Sequence, residues 1–425
     1  MKIIILASLV FFTNAHILDP YSSFPLIVND LGNAVELHQC TNNNMCIVYN
    51  NNTSHQCTVT LLDSTSKEIA RIQSAPYSFT NILNGPHQIS WGSSTFVIPL
   101  IHANDFYGIL KRYNYTDFSL DASFGNNGTT TFTINNHPIV FTTVLKKDNY
   151  YYVGGFIHTD NYHPLLVRFD DNGNLDTTFN ITNTPGYTVV DTIGSIAQML
   201  FLEDTIILKL YVPNVFSFSL ASISNQDFSL VADPIALDPV HSNIAPYNNS
   251  SFFICSSNTI QKYTDRLVLD TTFNNTGSIT FLDAVSLFSQ SDNYFPLLTL
   301  TILPPYLLAA GNYSNDHNNT FLPYIICYNI RDIHNPYLEG TFFKKGYLLP
   351  EWPLNASWGA QQLIIASGNF PSLFISGDKY VKHIALEESF VIPALLHLIK
   401  EDVTNITDKI LLEKLFSRNI PFLSL

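Results

Sequence analysis

Hydrophobic and polar positions alternate in short runs along most of the chain, and turn-forming residues separate the runs. The clearest example is the stretch Leu165 to Phe179, which reads Leu-Leu-Val-Arg-Phe-Asp-Asp-Asn-Gly-Asn-Leu-Asp-Thr-Thr-Phe. Its first five residues are apolar or β-favouring, and the Asp-Asp-Asn-Gly-Asn that follows is rich in residues that form tight turns. The pattern predicts a strand that ends in a tight turn.

A second local element follows this turn, in Leu175-Asp176-Thr177-Thr178-Phe179. The Asp176 carboxylate can accept backbone N–H bonds from Thr178 or Phe179, while Leu175 and Phe179 can point the same way into a core. We therefore predict one helical or 3₁₀-like turn that its own aspartate stabilises.

The Leu-Asp-x-x-Phe element recurs along the chain. Strong copies are Leu120-Asp121-Ala122-Ser123-Phe124 and Leu269-Asp270-Thr271-Thr272-Phe273, and weaker ones lie at residues 227–230, 338–342 and 386–390. Leu120, Leu175 and Leu230 stand 55 residues apart. One period can hold four short strands, the number in a propeller blade; we predict Thr129–Ile134, Ile139–Lys146, Tyr150–Phe156 and Leu165–Phe169.

A glycine-containing apolar strand also repeats, as Tyr152-Val153-Gly154-Gly155-Phe156 and at residues 308–313 and 365–370. Glycine inside such a strand indicates a bulge or a close backbone approach. Together the two elements resemble the delta-60 repeat of bacterial secreted and surface proteins, whose unit runs from a Val-Gly-Gly strand through an Arg-Leu/Phe strand to Gly-x-Leu-Asp-x-x-Phe. The resemblance covers roughly residues 107–390. It implies a β-propeller-like array without family-wide catalytic residues.

The predicted fold is all-β: a β-propeller of about six four-stranded blades, or seven if the N-terminal region supplies one. The predicted divisions are a signal peptide (1–15), a small cysteine-containing β-rich region (16–75), the repeat propeller (76–390) and a short helical C-terminal tail (391–425). The tail either packs on the propeller rim or binds a partner through an amphipathic helix. A pair of β-sandwich domains is the alternative, but a sandwich does not require equally spaced turns.

The first fifteen residues have the layout of a secretory signal peptide. Lys2 precedes an apolar run from Ile3 to Phe12, and the small-residue end Thr13-Asn14-Ala15 follows. The run is shorter than the roughly 18 residues that a membrane-spanning helix needs, so no transmembrane anchor is predicted. We expect a secreted, periplasmic or cell-surface protein.

The charge balance argues against a nucleic-acid partner. The 425-residue chain has 20 Lys and Arg against 34 Asp and Glu, a net charge of −14, and no basic cluster longer than Lys146-Lys147. A protein or glycan ligand is compatible with this composition.

The cysteines fall into two groups. Cys40, Cys46 and Cys57 lie close together, and in an exported protein two of them could form a disulfide, with all three pairings open. A metal site is disfavoured because no C-x-x-C pair is present and the nearby His38 and His55 lack ligand spacing. Cys255 and Cys327 lie in apolar strands and are predicted to be buried.

The sequence contains no nucleophile elbow, H-E-x-x-H, phosphate loop or dinucleotide fingerprint. Asp170, Asn172, Asn174 and Asp176 alternate as calcium-loop oxygens do, but glycine stands at the fourth position and the closing Glu is missing, which favours plain turn chemistry. His158 and His163 are interpreted as solvated loop residues. No catalytic, cofactor or metal residue is therefore predicted, only structural repeat positions: Leu120, Asp121, Phe124, Leu175, Asp176, Phe179, Leu269, Asp270 and Phe273.

These observations predict an exported, non-enzymatic binding or surface-interaction protein. The alternative is a propeller-type glycan hydrolase or lyase with acidic residues at the central channel. That activity needs carboxylates such as Asp160, Asp204 or Asp316 to converge within several ångströms at one channel mouth.

Overall fold

The computed structural model describes strands and turns between residues 25 and 385. The described ranges are 25–27, 33–39, 45–51, 56–62, 68–73, 88–100, 107–180, 184–212, 217–237, 243–256, 259–280, 297–315, 320–338, 347–348, 362–366, 372–376 and 380–385. The predicted signal peptide, the predicted C-terminal helical tail, Asp316 and Cys40 lie outside them. In the described part, no helix is long and apolar enough to cross a membrane.

The first three sheets come from the N-terminal half of the chain, and all their strand pairs are antiparallel. Sheet 1 contains β2 (Asn33–Gln39), β3 (Met45–Asn51), β4 (Gln56–Leu62) and β5 (Glu68–Gln73). Sheet 2 contains β6 (Ser90–Trp91), β7 (Thr95–Leu100), β8 (Gly108–Asn114) and β9 (Thr129–Phe132). Sheet 3 contains β10 (Ile139–Lys147), β11 (Tyr150–His158), β12 (Tyr162–Asp170) and β13 (Tyr187–Val189).

Four further antiparallel sheets follow. Sheet 4 contains β14 (Ser195–Phe201), β15 (Thr205–Val212), β16 (Ser217–Ser224) and β17 (Leu230–Leu237). Sheet 5 contains β18 (Ile244–Asn248), β19 (Ser251–Ser256), β20 (Thr259–Thr264) and β21 (Ser278–Thr280). Sheet 6 contains β22 (Leu297–Leu303), β23 (Tyr306–Asn315), β24 (Thr320–Asn329) and β25 (Tyr337–Leu338), with β26 (Tyr347–Leu348) also on β24. Sheet 7 contains β27 (Gln362–Ala366), β28 (Ser372–Ser376), β29 (Tyr380–Ala385) and β1 (Pro25–Ile27).

The predicted all-β class and the repeated four-stranded sheets are confirmed for the described residues, where six sheets have four strands and one has five. The predicted phase of the repeat is wrong by one strand. Strand β9 pairs with β8 and so completes sheet 2 instead of opening sheet 3. The reason is that the Leu120–Phe124 turn reverses the chain within one sheet and does not separate two sheets.

The sheets follow one another in a propeller-like arrangement with their first strands adjacent. Contacts join β6 to β10, β10 to β14, β14 to β18, β18 to β22 and β22 to β27, and β27 also contacts β2. Gln88, just before β6, forms a parallel bridge with Thr143 of β10, so the chain runs in the same direction at the first strands of sheets 2 and 3. Strand β1 pairs with β29, opposing Leu26 to Val381, so residues from the two ends of the described chain share sheet 7.

A polar residue recurs on the first strands or directly before them, and we call this set the inner polar belt: Gln88, Thr143, Gln198, Asn243 and Thr299. Gln198 donates its amide N–H to the Ile244 carbonyl (3.1 Å) and accepts the Ile244 N–H (3.1 Å). Asn243 makes the same two bonds with Leu300 (3.0 and 2.7 Å). Because a side-chain amide offers both a donor and an acceptor, one residue satisfies both backbone groups of its neighbour.

Gln88 forms hydrogen bonds with two other sheets. It exchanges the same pair of amide bonds with Met199 of sheet 4 (3.2 and 3.0 Å). The Thr143 hydroxyl of sheet 3 also donates to the Gln88 side-chain oxygen (2.7 Å). The inner polar belt therefore links sheets 2 to 6 through their first strands.

The repeated glycine pair lies where sequence predicted a bulge or a close approach. The register of β10 against β11 shifts between Phe141 and Thr143, opposite Gly155 and Gly154. A Cβ atom on Gly155 would overlap the Val140 carbonyl oxygen, and one on Gly154 would come within 2.8 Å of Ile196 in sheet 4. Only glycine leaves the backbone room for both contacts.

The hydrophobic core is divided among clusters that lie between neighbouring sheets. Cys46 of sheet 1, for example, is fully buried in one cluster with Phe96 and Ile98 of sheet 2. Cys40 and the Cys57 side chain lie outside the described residues, so the disulfide pairing among Cys40, Cys46 and Cys57 stays a prediction. Cys255 and Cys327 are fully buried, as predicted.

Candidate functional site

The repeated aspartates each bind their own turn. Asp176 Oδ1 accepts the Thr178 backbone N–H (3.0 Å) and hydroxyl (2.6 Å), and the Phe179 N–H donates to the Asp176 carbonyl (3.1 Å). Asp121 is bound in the same way by Ser123 (3.0 and 2.7 Å), and Asp270 by Thr272 (3.0 and 2.6 Å). The three turns belong to sheets 2, 3 and 5 and do not meet at a shared site.

The second carboxylate oxygen of each turn binds a basic side chain, a partner that sequence reasoning missed. Asp121 Oδ2 accepts Arg112 Nε (2.8 Å), Asp176 Oδ2 accepts Arg168 Nε (2.7 Å), and Asp270 Oδ2 accepts Lys262 Nζ (2.5 Å). The three basic side chains are only 7–15% exposed. A basic residue followed by an aromatic one, eight or nine positions before each aspartate, was the available signal.

These partners set the ionisation of the aspartates. Burial by itself raises the pKa of Asp176, but the Thr178 hydrogen bonds and the Arg168 guanidinium together outweigh it and leave the pKa below its ordinary value. The same balance of burial, turn hydrogen bonds and a nearby cation lowers the pKa of Asp121 and Asp270. All three carboxylates are therefore charged at neutral pH and engaged by donors of their own sheets.

The repeated phenylalanines are buried between sheets. Phe124, Phe179 and Phe273 are 0–1% exposed. The Phe124 ring meets Tyr151 of sheet 3 edge-on, and Phe179 packs with residues of sheet 4 such as Ile206. Phe273 packs with residues of sheet 6 such as Leu307.

The expectation that the repeat leucine and phenylalanine share one core is wrong. Leu175 packs against the cluster between sheets 2 and 3, whereas Phe179 belongs to the cluster between sheets 3 and 4, because the turn reverses the chain between them. Leu120 is 40% exposed. Its side chain lies over Gly128, which takes a left-handed conformation at φ 88° and donates its N–H to Phe124. Leu175 and Leu269 lie against Gly186 and Gly277 in the same way.

The other candidate residues are spread over the fold. The calcium-like oxygens are bound by the turn itself: Asp170 Oδ1 accepts the Asn172 and Asn174 N–H groups (2.9 and 2.8 Å). His163 Nε2 lies 3.3 Å from Asp160 Oδ1, and the His158 ring is tilted by 41° against the Tyr162 ring with centroids 4.8 Å apart. Among the described residues, no three His, Cys, Asp or Glu side chains are placed to hold a metal ion.

Two acids considered for glycan cleavage lie at opposite ends of the strands. Asp204 is in the β14–β15 turn, which lies beside the β10–β11 turn. Asp160 is in the β11–β12 turn, at the far end of the nine-residue strand β11. A strand of that length spans roughly 26 Å. Asp160 and Asp204 therefore do not converge.

An open groove of about 640 Å³ lies where three hairpin turns meet. Lys146 and Lys147 end β10, residues 201–203 cover the end of β14 and the turn after it, and residues 246–249 cover the end of β18 and the turn after it. Their shared lining of the groove places these turns side by side on one face of three successive sheets. We call this feature the three-turn groove.

Hydrogen bonds hold the walls of the three-turn groove in place. The Glu203 N–H donates to the Asn249 carbonyl (2.8 Å), which joins the second turn to the third. Asn225, after β16, donates its side-chain N–H to the Glu203 carbonyl (2.7 Å) and its backbone N–H to the Asp204 carbonyl (3.0 Å). The groove is thus built on ordered backbone.

Two half-buried aromatic rings line the three-turn groove. Phe201 packs edge-on against Tyr152 with ring centroids 4.7 Å apart, and Tyr247 packs edge-on against Phe253 at 5.3 Å. Lys262, the partner of Asp270, lies 4.8 Å from the Tyr247 ring centroid. The repeated aspartate turn of sheet 5 is therefore connected to the groove, because Lys262 contacts both Asp270 of the turn and the Tyr247 ring of the groove.

The first strands of sheets 1 and 2 end in a second aromatic cluster on the same face. His38 stacks on Trp91 with ring centroids 4.4 Å apart and an angle of 1° between the rings, and Tyr115 stacks on Trp91 at 6.3 Å. Burial lowers the pKa of His38 to about 4, so the imidazole is neutral at pH 7. Aromatic side chains thus recur on this face from sheet 1 to sheet 5.

Lys209 of β15 is a buried basic residue. Small residues occupy the equivalent position in two other sheets. Lys209 opposes Gln198, as Gly154 opposes Thr143 and Ala310 opposes Thr299. Its ammonium lies 4.3 Å from the Phe218 ring centroid. Burial lowers the pKa of Lys209 to about 8.

Comparison with known proteins finds distant structural likeness to two solved structures. The extracellular domain of a hybrid two-component system from B. thetaiotaomicron aligns with a TM-score of 0.47 and 10% identity over 86% of this chain, which spans 43% of that one. Hydrazine synthase from Kuenenia stuttgartiensis aligns with a TM-score of 0.43 and 10% identity over 84% of this chain and 96% of that one. No protein-family model and no curated protein matches the chain. The resemblance to the delta-60 repeat stays a prediction.

Replacing Asp176 tests the role of the cation in the repeated turn. Asp176→Ala removes both the turn bonds and the partner of the largely buried Arg168, so we expect a loss of about 3–5 kcal/mol in the free energy of unfolding. Asp227 binds Ser229 in the same local manner (3.1 and 2.8 Å) but has no basic partner among the described residues. Asp227→Ala should cost only about 0.5–2 kcal/mol.

Urea unfolding of both variants measures the difference. Because the folded-state pKa of Asp176 is lowered, its contribution is present above about pH 4 and is lost as the pH falls through the folded pKa. Equal losses for the two variants at pH 7 would show that the cation contributes nothing.

Lys209→Met tests the buried ammonium. The folded pKa of about 8 lies below the unfolded value of about 10.4, so the unfolded state binds more protons between these two pH values and wild-type stability should rise there relative to the variant. At pH 7 the variant should be more stable, by at most about 3 kcal/mol. Unfolding curves of both proteins from pH 7 to 10.5 give the comparison, and a pH-independent difference contradicts the assignment.

Proposed function

We propose that the protein is an exported, non-enzymatic binding protein whose seven sheets close into one ring. The contacts between first strands from sheet 2 to sheet 7, the contact of β27 with β2, and the pairing of β1 with β29 support the ring. In this proposal the described strands between residues 25 and 385 form a single propeller, in which β2 to β5 supply one blade and β1 adds a strand to sheet 7, so the predicted region 16–75 is not a separate domain. The signal-peptide pattern of residues 1–15 supports export.

The three-turn groove is the observation that carries the proposed binding function. It is concave, two aromatic rings line it, and three turns from different sheets border it with polar side chains. Small-molecule and glycan sites combine an apolar surface with a few fixed polar groups in this way. The hydrogen bonds of Asn225 and Asn249 hold the walls before a ligand arrives, which reduces the ordering cost of binding.

Binding is favoured over glycan cleavage by the distribution of acids. Among the described residues that line the groove, Glu203 is the only carboxylate, whereas acid–base cleavage of a glycosidic bond uses a pair of carboxyl groups. The aspartates of the repeated turns are bound by their own turns and cations. The groove therefore has the character of a recognition site.

Filling the groove tests this function. Asn249 is exposed, and its carbonyl is the atom that bonds Glu203, so Asn249→Trp places a bulky ring in the groove without removing that bond. Thr159→Trp makes the same change at an exposed position of the β11–β12 turn, at the other end of the strands. We expect Asn249→Trp to lower ligand binding at least tenfold and Thr159→Trp to leave it unchanged.

The measurement is binding of the secreted wild type and both variants to arrays of oligosaccharides and of peptides, with thermal unfolding as the folding control. Unchanged binding by folded Asn249→Trp would exclude the groove. Absence of any wild-type binding on both arrays would contradict the proposed function as well.

A further inference from the structure

We propose that the ligand of the three-turn groove is an anionic glycan, with carboxylate or sulfate groups, and that Lys147 determines this specificity. The inference rests on the proposed binding function. It extends that function by assigning the charge and the chemical class of the ligand.

The two lysines of the groove differ in their partners. Lys146 Nζ is 2.5 Å from Asp171, so its charge is offset within the protein. The ion pairs among the described residues do not include Lys147. Its ammonium lies 5.1 Å from the Phe201 ring centroid, with one long contact of 3.5 Å to the Leu202 carbonyl. Lys147 therefore brings a positive charge to the groove of a chain whose net charge is −14.

Asn248 adds hydrogen-bond donors on another wall. Its side-chain oxygen accepts the Ser250 N–H (2.9 Å) and the Ser251 hydroxyl (2.8 Å). The side-chain oxygen of Asn248 is therefore engaged within the protein, which leaves the N–H donors of this groove residue for a ligand. Donors on two walls complement the oxygen acceptors of a carboxylate, a sulfate or a sugar hydroxyl.

The rings favour a glycan over an acidic peptide as the occupant. Phe201 and Tyr247 are half-buried and offer rigid apolar surface. A pyranose ring offers a matching apolar C–H face together with a polar edge. A sugar can cover these rings with its apolar face while its acidic group reaches Lys147. Acidic side chains of a peptide have no comparable rigid face.

Glu203 provides a second test of the proposed charge preference, because removing its charge should have the opposite effect on anion binding from removing the charge of Lys147. It is exposed and belongs to the turn between the Lys147 wall and the Asn249 wall. Its charge repels an anionic ligand, so its neutralisation should strengthen binding when the removal of Lys147 weakens it.

The experiment titrates the secreted protein with oligomers of galacturonic acid and of sulfated dextran, each beside its neutral counterpart, the methyl ester or plain dextran. We expect the wild type to bind at least one anionic oligomer about tenfold tighter than its neutral form, with an affinity that falls at high salt. Lys147→Gln should lose most of this preference, and Glu203→Gln should bind the anion several-fold tighter. Arg331→Gln removes a charge from an exposed residue after β24 and should change nothing.

The outcomes separate this inference from the proposed function. Equal affinity for charged and neutral oligomers that Asn249→Trp still abolishes would overturn the inference and leave the groove as the binding site. Poly-glutamate binding as tight as that of the anionic oligomers would assign the groove to an acidic protein and overturn the glycan. Anion binding that Asn249→Trp leaves intact would place the ligand elsewhere, against both proposals. Failure to bind any anionic oligomer overturns the inference.

Discussion

The inner polar belt is the constraint on which the arrangement of sheets depends. First strands of neighbouring sheets that lie side by side do not pair with one another as strands of one sheet do, so their backbone N–H and C=O groups need other partners. Gln198 and Asn243 each satisfy one residue of the next sheet with a single amide, and Gln88 reaches two sheets. The belt thereby fixes which first strands are neighbours and which turns reach the same face.

The repeated aspartate turn stabilises the third and fourth strands of a sheet, whereas the inner polar belt connects the first strands. It reverses the chain between the third and fourth strands, and it carries the phenylalanine that fills the space against the next sheet. Its basic partner extends this role, because Lys262 contacts both Asp270 and the Tyr247 ring of the three-turn groove. A stabilising element of the repeat therefore also positions part of the candidate site.

Part of this structure could be predicted from sequence because it is local. The strand, the Asn-Gly turn and the aspartate that caps its own turn are all encoded within about fifteen residues, and repetition reinforces the signal. The Asp–cation pairs are harder to predict from sequence. Arg112 and Lys262 have the pattern of ordinary strand residues, and only the pairing of the strands shows that each lies beside its aspartate. Gln88, Thr143 and Gln198 of the inner polar belt keep the 55-residue spacing of the repeat, but Asn243 does not. Because amide and hydroxyl side chains also replace one another in the belt, the sequence alone does not identify it.

The three-turn groove could not be predicted in this way. Its walls come from three sheets, and the side-by-side position of their turns depends on which first strands are neighbours. Lys146-Lys147 is one of three two-residue basic clusters in an acidic chain, beside Lys111-Arg112 and Lys344-Lys345, and nothing in the sequence distinguishes it. Its position beside Phe201 and Asn249 is a property of the assembled sheets.

The central claim is that the seven sheets close into one ring, and a disulfide between β1 and β29 tests it most directly. Leu26 and Val381 oppose each other in adjacent strands, so a Leu26→Cys, Val381→Cys variant should form an intramolecular disulfide, seen by mass spectrometry of non-reduced peptides. Ile365 lies three strands from β1 in sheet 7, roughly 14 Å away, so Leu26→Cys, Ile365→Cys should not form one. Closure predicts a disulfide in the first variant alone. A first variant that keeps both thiols reduced under oxidising conditions, or that cross-links only between molecules, would contradict it.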